Sequence, residues 1–217
     1  MRDNQSAMIS LIVFDCDGVL FDSREANRAY YNDLLALFNC SPMSEAELDY
    51  VHSHNVNDAV HHIFVGYPDI DMNQVNLRRD NLDYEPYLSS MIMAPDLPRF
   101  LDTVAPLYRL AISTNRSTTM TPLLERFELT GYFEKVVTPL DVAHPKPAPD
   151  ALLEIFAHFD CGPEDTIFIG DSEVDRLHAR NSGVDLIAFR NQELEARYHV
   201  DCFMDILALP PFLHKQS

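Results

Sequence analysis

Short apolar runs of strand length punctuate the chain at positions 9–14, 110–113, 135–138, 166–169 and 184–189. Between them the apolar positions recur with helical spacing. The stretch Thr121-Pro122-Leu123-Leu124-Glu125-Arg126-Phe127 opens with a proline suited to a first helical turn. Pro149-Asp150-Ala151-Leu152-Leu153 repeats that logic, and 175–181 reads as a helix stopped near Gly183. Strands alternating with helices predict an α/β fold, a parallel sheet covered on both faces.

Residues 24–93 break the alternation. They carry helical stretches at 26–38, 45–51 and 56–64 and no run that reads as a buried strand. The pattern predicts a helical cap inserted after the first strand, with turns near Pro42 and Pro68 and a return to the core at Pro95 and Pro98. The core is then built from 1–23 and 94–217, and the cap from 24–93. No repeat or low-complexity tract interrupts either part.

Composition narrows the function. With 217 residues and 47% hydrophobic content, the chain can bury roughly 70% of its unfolded surface. A net charge of −18 argues against nucleic acid and anionic membranes as partners. It leaves room for a small anionic ligand held by local cations. Cys16, Cys40, Cys161 and Cys202 form no CxxC pair, so free thiols in a reducing compartment are expected and a zinc site is not. The apolar stretch near the start is too short for a signal segment or a membrane span. A cytoplasmic location is the expectation.

Ligands of parallel sheets bind beyond the carboxyl ends of the strands, and four stretches there carry chemistry. Asp15-Cys16-Asp17-Gly18 follows the first strand, and Ser113-Thr114-Asn115 the second. Lys146 sits in His144-Pro145-Lys146-Pro147, and Gly170-Asp171-Ser172-Glu173-Val174-Asp175 follows the fourth strand. Each alone has a plain structural reading as a turn, a helix cap or a solvated loop. Together they place acids, a hydroxyl, backbone N–H groups and one ammonium at a single sheet edge. Clustered carboxylates call for a cation, and Mg²⁺ suits oxygen ligands. Asp171 and Asp175 are four apart, one helical turn. An aspartate beside Mg²⁺ can attack phosphorus, while a second acid protonates the leaving oxygen and later activates water. Thr114, nearby N–H groups and Lys146 would neutralise phosphoryl oxygens.

The segments "DCDGVLFDS", "ISTN", "HPKPAPD" and "FIGDSEVD" resemble, in order and spacing, the four motifs of the haloacid dehalogenase-like hydrolase superfamily. The resemblance covers about 1–23 and 94–205, and "NSGVDLIAF" extends it. It implies a Rossmann-like core with a helical cap. By that resemblance Asp15 is the nucleophile and Asp17 the acid/base. The Mg²⁺ ligands are Asp15, the Asp17 backbone carbonyl and Asp171, with Asp175 supporting the metal or Lys146. Thr114 and Lys146 bind phosphate, and Asn115 contributes through its backbone or by shaping the loop. Cys16 points away from the acids as a small buried filler.

Residue choices separate the branches. Dehalogenases of the family lack a second acid at the place of Asp17. Phosphonoacetaldehyde hydrolases use a cap lysine, whereas Lys135, Lys146 and Lys215 all lie outside 24–93. β-Phosphoglucomutases place a histidine where this chain has Asn27 and tend to Ser-x-Ser in the second motif. The likeness is greatest to phosphoglycolate phosphatase-type enzymes, which implies a phosphatase acting on a small phosphorylated metabolite. A phosphosugar mutase, or a non-catalytic metabolite-binding protein on the same scaffold, is the alternative. Cap candidates for substrate choice are His52, His54 and Asn55, with Arg24, Arg28, Arg78 and Arg79, since arginine forks suit a second anionic group. The competing reading has the histidines capping a helix or facing solvent. "SHNVND" stands where the family has a glycine-bearing specificity loop. Arg116 reaches the substrate, or pairs with Glu125 or water. His61 and His62 read as packing. Tyr30, Tyr31 and Leu34 are the cap's own core or a contact between subunits of a homodimer; otherwise the chain is monomeric.

Overall fold

The computed structural model describes residues 9–215. The leading stretch that bears on a signal segment, 1–8, and residues 216–217 lie outside it.

In chain order the elements are β1 (Leu11–Phe14), β2 (Phe21–Asp22), α1 (Arg24–Ala36), α2 (Glu45–Ser53), α3 (Val56–Phe64), α4 (Met72–Asp80), α5 (Glu85–Leu88) and β3 (Ile92–Met93). There follow α6 (Leu97–Val104), β4 (Arg109–Ser113), α7 (Met120–Arg126), β5 (Lys135–Val137), α8 (Asp150–Phe159), β6 (Thr166–Gly170), α9 (Glu173–Ser182), β7 (Asp185–Phe189), β8 (Tyr198–Val200) and α10 (Phe203–Ile206). Six strands form one parallel sheet in the order β5-β4-β1-β6-β7-β8.

β1 is the centre of this sheet, and its sequence shows why. All four residues, Leu-Ile-Val-Phe, are fully buried. A strand covered on both faces must be apolar at every position. The two-residue period splits the run between two cores. Ile12 and Phe14 join the core shared with α6 and the cap-side helices. Leu11 and Val13 join the core under α8. Phe14 meets Phe100, Phe133 and Phe203 at ring-centroid distances of 6.3, 5.6 and 6.2 Å.

The helical insert is present, with α1 beginning at Arg24 and α5 ending at Leu88. Ile92 and Met93 form a short strand that pairs antiparallel with Asp22 and Phe21. The last residues of the 24–93 segment therefore close a two-stranded antiparallel ladder with the end of the first core segment. Two residues, one of them exposed, leave no periodic signal. β8 was also absent from the pattern, because only Val200 of its three residues is buried. α4 is polar almost throughout, with Val75 its single buried position.

Tyr30, Tyr31 and Leu34 lie inside the cap and are 6%, 5% and 0% exposed. Tyr30 packs on Tyr31, Tyr84 and Tyr87 with centroids 5.0, 4.8 and 5.4 Å away. The entrance to α2 is fixed by a reciprocal capping box between Ser44 and Glu47.

Replacing Phe14 by Ala removes the ring on which three other phenylalanines converge. Urea denaturation is expected to show a loss of about 3–5 kcal/mol. A loss below about 1 kcal/mol would mean the strand is not the packing centre described.

Candidate active site

The sheet register builds the site. Phe14 lies opposite Ile112 on β4 and Ile169 on β6. The next residue of each strand therefore arrives level with the others: Asp15, Ser113 and Gly170. One step on come Thr114 and Asp171. Because β1 lies between β4 and β6, the loops after all three strands open into one crevice, where strand order reverses. Gly18 has φ 85°, and a Cβ there would stand 2.0 Å from Asp171 Oδ2. Glycine is required for this turn to pass the acid.

Lys146 is the hub. It is 5% exposed, and its ammonium donates to Asp15 Oδ1 and Asp175 Oδ1, both at 2.7 Å. The Asp175 carboxylate is fully committed. Its second oxygen accepts from the Ser172 hydroxyl at 2.7 Å and from the Ser172 N–H at 3.2 Å, capping α9. Burial disfavours charge on Asp175, yet Lys146 and the cap bonds hold its carboxyl below the usual range. Burial and the facing Asp175 push Asp15 up to about 7 against the pull of Lys146. Burial and the same two acids push Asp171 well up. Ligand oxygens of Asp15, Asp171 and Asp175 lie within 4.8 Å of one another, and among the described residues no lysine or arginine pairs with Asp171. One ammonium among three acids leaves negative charge uncompensated. With Asp175 committed to Lys146 and Ser172, the carboxylate oxygens left on Asp15 and Asp171 fit a hard divalent cation.

Asp17 is held differently. Burial raises the cost of its charge, but Arg116 overrides this and keeps its carboxyl low. The guanidinium takes both oxygens, Nε to Oδ2 at 3.1 Å and Nη2 to Oδ1 at 2.5 Å. Arg116 is 8% exposed. It also donates to Thr119 Oγ1 at 3.0 Å and to the Tyr84 hydroxyl of the cap at 3.3 Å. Among the described residues its side-chain partners are Asp17, Thr119 and Tyr84, not Glu125. Thr114 accepts from the Arg116 N–H at 3.0 Å. The Asn115 amide donates to the Lys146 carbonyl at 3.2 Å and to the Ser53 carbonyl of the cap at 3.4 Å, so its side chain joins three segments.

A cavity of about 640 Å³ lies between these groups and the cap. His52 lines it, with Nδ1 3.3 Å from the Asn27 amide. His54 and Asn55 line it too, but their side chains serve the helices. His54 Nδ1 lies 2.9 Å from the Tyr50 carbonyl, and its ring stacks on Tyr50. Asn55 caps α3 by accepting from the Asn57 and Asp58 N–H groups. Of the cap arginines, Arg79 reaches the cavity, bound to Asn57 and Asp80. Arg24 and Arg28 pair with Glu45 on the outer surface of the cap. Arg78 does not line the cavity. His62 stacks on Tyr50, and Cys16 is fully buried.

The family description Haloacid dehalogenase-like hydrolase matches residues 12–189. The chain belongs to this family. A haloacid dehalogenase superfamily hydrolase from Geobacter sulfurreducens superposes with a TM-score of 0.81 at 33% identity, covering 92% of this chain and 98% of that one. Phosphoglycolate phosphatase 1 of Pseudomonas aeruginosa is 28% identical over 183 residues, 80% of this chain and 66% of its own length. Phosphoglycolate phosphatase of Nitrosospira multiformis is 36% identical over 98 residues, 44% of this chain and 43% of its own length. The chain thus spans under two thirds of these curated relatives.

Sequence patterning missed two participants in this haloacid dehalogenase-like site. Tyr84 carries the cap's contact to Arg116, and nothing in the polar run around it marks that role. His178 reads from its position as one more residue on the inner face of α9. It is fully buried between the Ser113 hydroxyl, 2.9 Å from Nε2, and the Ala148 carbonyl, 2.7 Å from Nδ1. Nδ1 must therefore carry the proton and Nε2 must accept.

Burial and the charge of Lys146 depress His178 to about 4 from an ordinary 6.5. The sign follows. Above pH 6.5 the residue is neutral whether folded or unfolded, and its full contribution is present. As pH falls from about 6.5 to about 4, the unfolded chain takes up a proton that the fold refuses, and stability is lost. Urea midpoints measured over that window should fall more steeply for the wild type than for His178→Gln. Equal slopes would contradict a buried neutral imidazole.

Proposed function

We propose that the chain is a Mg²⁺-dependent phosphatase of small phosphomonoesters, acting through an aspartyl-phosphate on Asp15. The observation that carries this reading is the Lys146 ammonium fixed between Asp15 and Asp175 at 2.7 Å. Asp15 and Lys146 lie side by side in the lining of the cavity, which supports reading them as nucleophile and phosphoryl-binding cation. The names of the phosphoglycolate phosphatases that the chain resembles support it.

The residues divide the work as follows. Asp15 Oδ2, the oxygen that Lys146 does not hold, attacks phosphorus in line with the ester oxygen. The P–O ester bond breaks as the carboxylate–phosphorus bond forms. Asp17 protonates the departing alkoxide, then takes a proton from the water that hydrolyses the acyl phosphate. Lys146, the Thr114 hydroxyl and loop N–H groups stabilise the charge on the phosphoryl oxygens. Asp15, the Asp17 carbonyl and Asp171 would hold Mg²⁺, while Asp175 anchors Lys146. The metal, when bound, neutralises the acids and polarises the phosphoryl group.

Arg116 occupies both oxygens of Asp17 and holds it ionised, so Asp17 can donate a proton only after that pair opens and the freed carboxylate takes one up from solvent. The guanidinium released faces the cavity, where a second anionic group on the substrate could receive it. His52, Asn27 and Arg79 supply the cap side of that recognition. The cap closes over a substrate of small size and excludes water and polymers. These features suit a small soluble metabolite in the cytoplasm.

The test is phosphate release from phosphoglycolate, sugar phosphates, nucleoside monophosphates and p-nitrophenyl phosphate, with and without Mg²⁺. Release should depend on the metal, and Asp15→Asn should retain below about 1% of it, because an amide cannot form the acyl phosphate. Residual turnover above a few per cent in that variant would sink the mechanism. Interconversion of glucose 1-phosphate and glucose 6-phosphate without release would point to the mutase. Ligand binding without turnover of any substrate would point to a binding protein.

Mg²⁺ should also raise the melting temperature of the wild type by several degrees and leave Asp171→Asn unmoved. An equal rise in both proteins would remove Asp171 from the metal site.

A further inference from the structure

We propose that His178 is a positioning residue that locks the phosphate-binding strand end to the lysine loop, so that Thr114 and Lys146 act as one rigid phosphoryl cradle. The proposal deepens the phosphatase reading and rests on it for the meaning of the cradle.

One side of α9 presents three polar side chains at a spacing of three: the buried Asp175 and His178 and the exposed Asn181. Each grips the same three-residue loop. Asp175 Oδ1 holds the Lys146 ammonium at 2.7 Å. The Asn181 amide donates to the Pro147 carbonyl at 2.9 Å. His178 Nδ1 donates to the Ala148 carbonyl at 2.7 Å. The loop, from ammonium to carbonyls, is thus bound to one helical ladder.

His178 alone extends the ladder to a second segment. Its Nε2 accepts from the Ser113 hydroxyl at 2.9 Å, and Ser113 is the residue before Thr114. A line of bonds therefore runs from the end of β4 through the imidazole to the loop behind Lys146. The Phe168 ring fills the space around that line. It stands edge-on to His178 at 5.4 Å, and Lys146 Nζ lies 5.6 Å from its centroid. Neutral imidazole suits this post because it offers one donor and one acceptor on a flat, rigid frame. Leucine would fill the volume and offer neither bond.

The pairing of serine with histidine is not a nucleophile and its base. Both residues are 0% exposed, and the hydroxyl points into the core. The Asn115 amide, bound to the Lys146 carbonyl at 3.2 Å, supplies a second tie from the same strand end. His178 is the tie that comes from beneath the site.

The experiment compares wild type with His178→Leu, His178→Gln, Ser113→Ala and the Leu/Ala double variant. Two readouts are taken on Mg²⁺-loaded protein: affinity for inorganic phosphate, and amide hydrogen exchange at Thr114, Lys146 and Ala148, with β7 as the internal reference. His178→Leu is expected to weaken phosphate about tenfold or more, to lower kcat, and to speed exchange at Lys146 and Ala148 while β7 stays protected. His178→Gln, which can donate and accept, should recover most of both. Adding Ser113→Ala to His178→Leu should cost little beyond His178→Leu alone, because the two residues form one line.

Unchanged exchange at Thr114, Lys146 and Ala148 in a folded His178→Leu protein would overturn the proposal. So would fully additive losses in the double variant, or a His178→Gln protein as impaired as His178→Leu. If His178→Leu does not fold, the Ser113→Ala and His178→Gln exchange patterns decide alone. Absence of turnover in the wild type would count against the phosphatase reading, while the exchange data would still decide whether the clamp exists.

Discussion

The ammonium of Lys146 is the point on which the site depends. Asp15 and Asp175 stand on either side of it, each at 2.7 Å, and all three groups are nearly sealed from water. Removing one member of a buried ionic group leaves an uncompensated charge, and that is costly. The lysine therefore fixes the spacing of the two acids. Asp175 in turn is fixed by Ser172 at the start of α9. The position of Asp15 is thus set by a helix cap two links away.

Negative charge still exceeds positive charge at this edge. Asp171 lies near both other acids, and the Gly18 turn passes close against it. A fold that concentrates acids in this way stores the electrostatic need for a cation in its backbone geometry. The same crowding gives Asp17 its arginine. Arg116 neutralises it from the β4 side and reaches the cap through Tyr84. Core and cap thus meet through polar side chains above the acids, through the paired β2 and β3, and through one continuous buried apolar cluster.

The resemblance to haloacid dehalogenase-like motifs in sequence agrees with the membership shown by the match over 12–189. Asp15, Thr114 and Asp171 follow apolar runs and Lys146 precedes a helix, and it is their combination at one sheet edge that made them legible. The cap residues were not legible in this way. His54 and Asn55 looked alike as polar loop residues beside His52, yet His54 is bound to a helix carbonyl and Asn55 caps α3. Their donors and acceptors are consumed by local backbone, and only the folded chain shows which are consumed. The same holds for Arg24 and Arg28, whose outward pairing with Glu45 separates them from Arg79 at the cavity.

What the sequence determined by itself was local and periodic. Uninterrupted apolar runs mean doubly covered strands, a glycine after a helical run means a left-handed stop at Gly183, and acids after strands mean chemistry at one sheet edge. What the tertiary structure decided was pairing over long separations. Arg116 chooses Asp17 across 99 positions, and His178 joins Ser113 across 65. Two-residue strands such as β3 exist only because a distant partner, β2, is present to bond them. The physical reason is common to all three. A hydrogen bond or ion pair between remote residues leaves no period in the chain, and it forms where packing has already brought the partners together and excluded water.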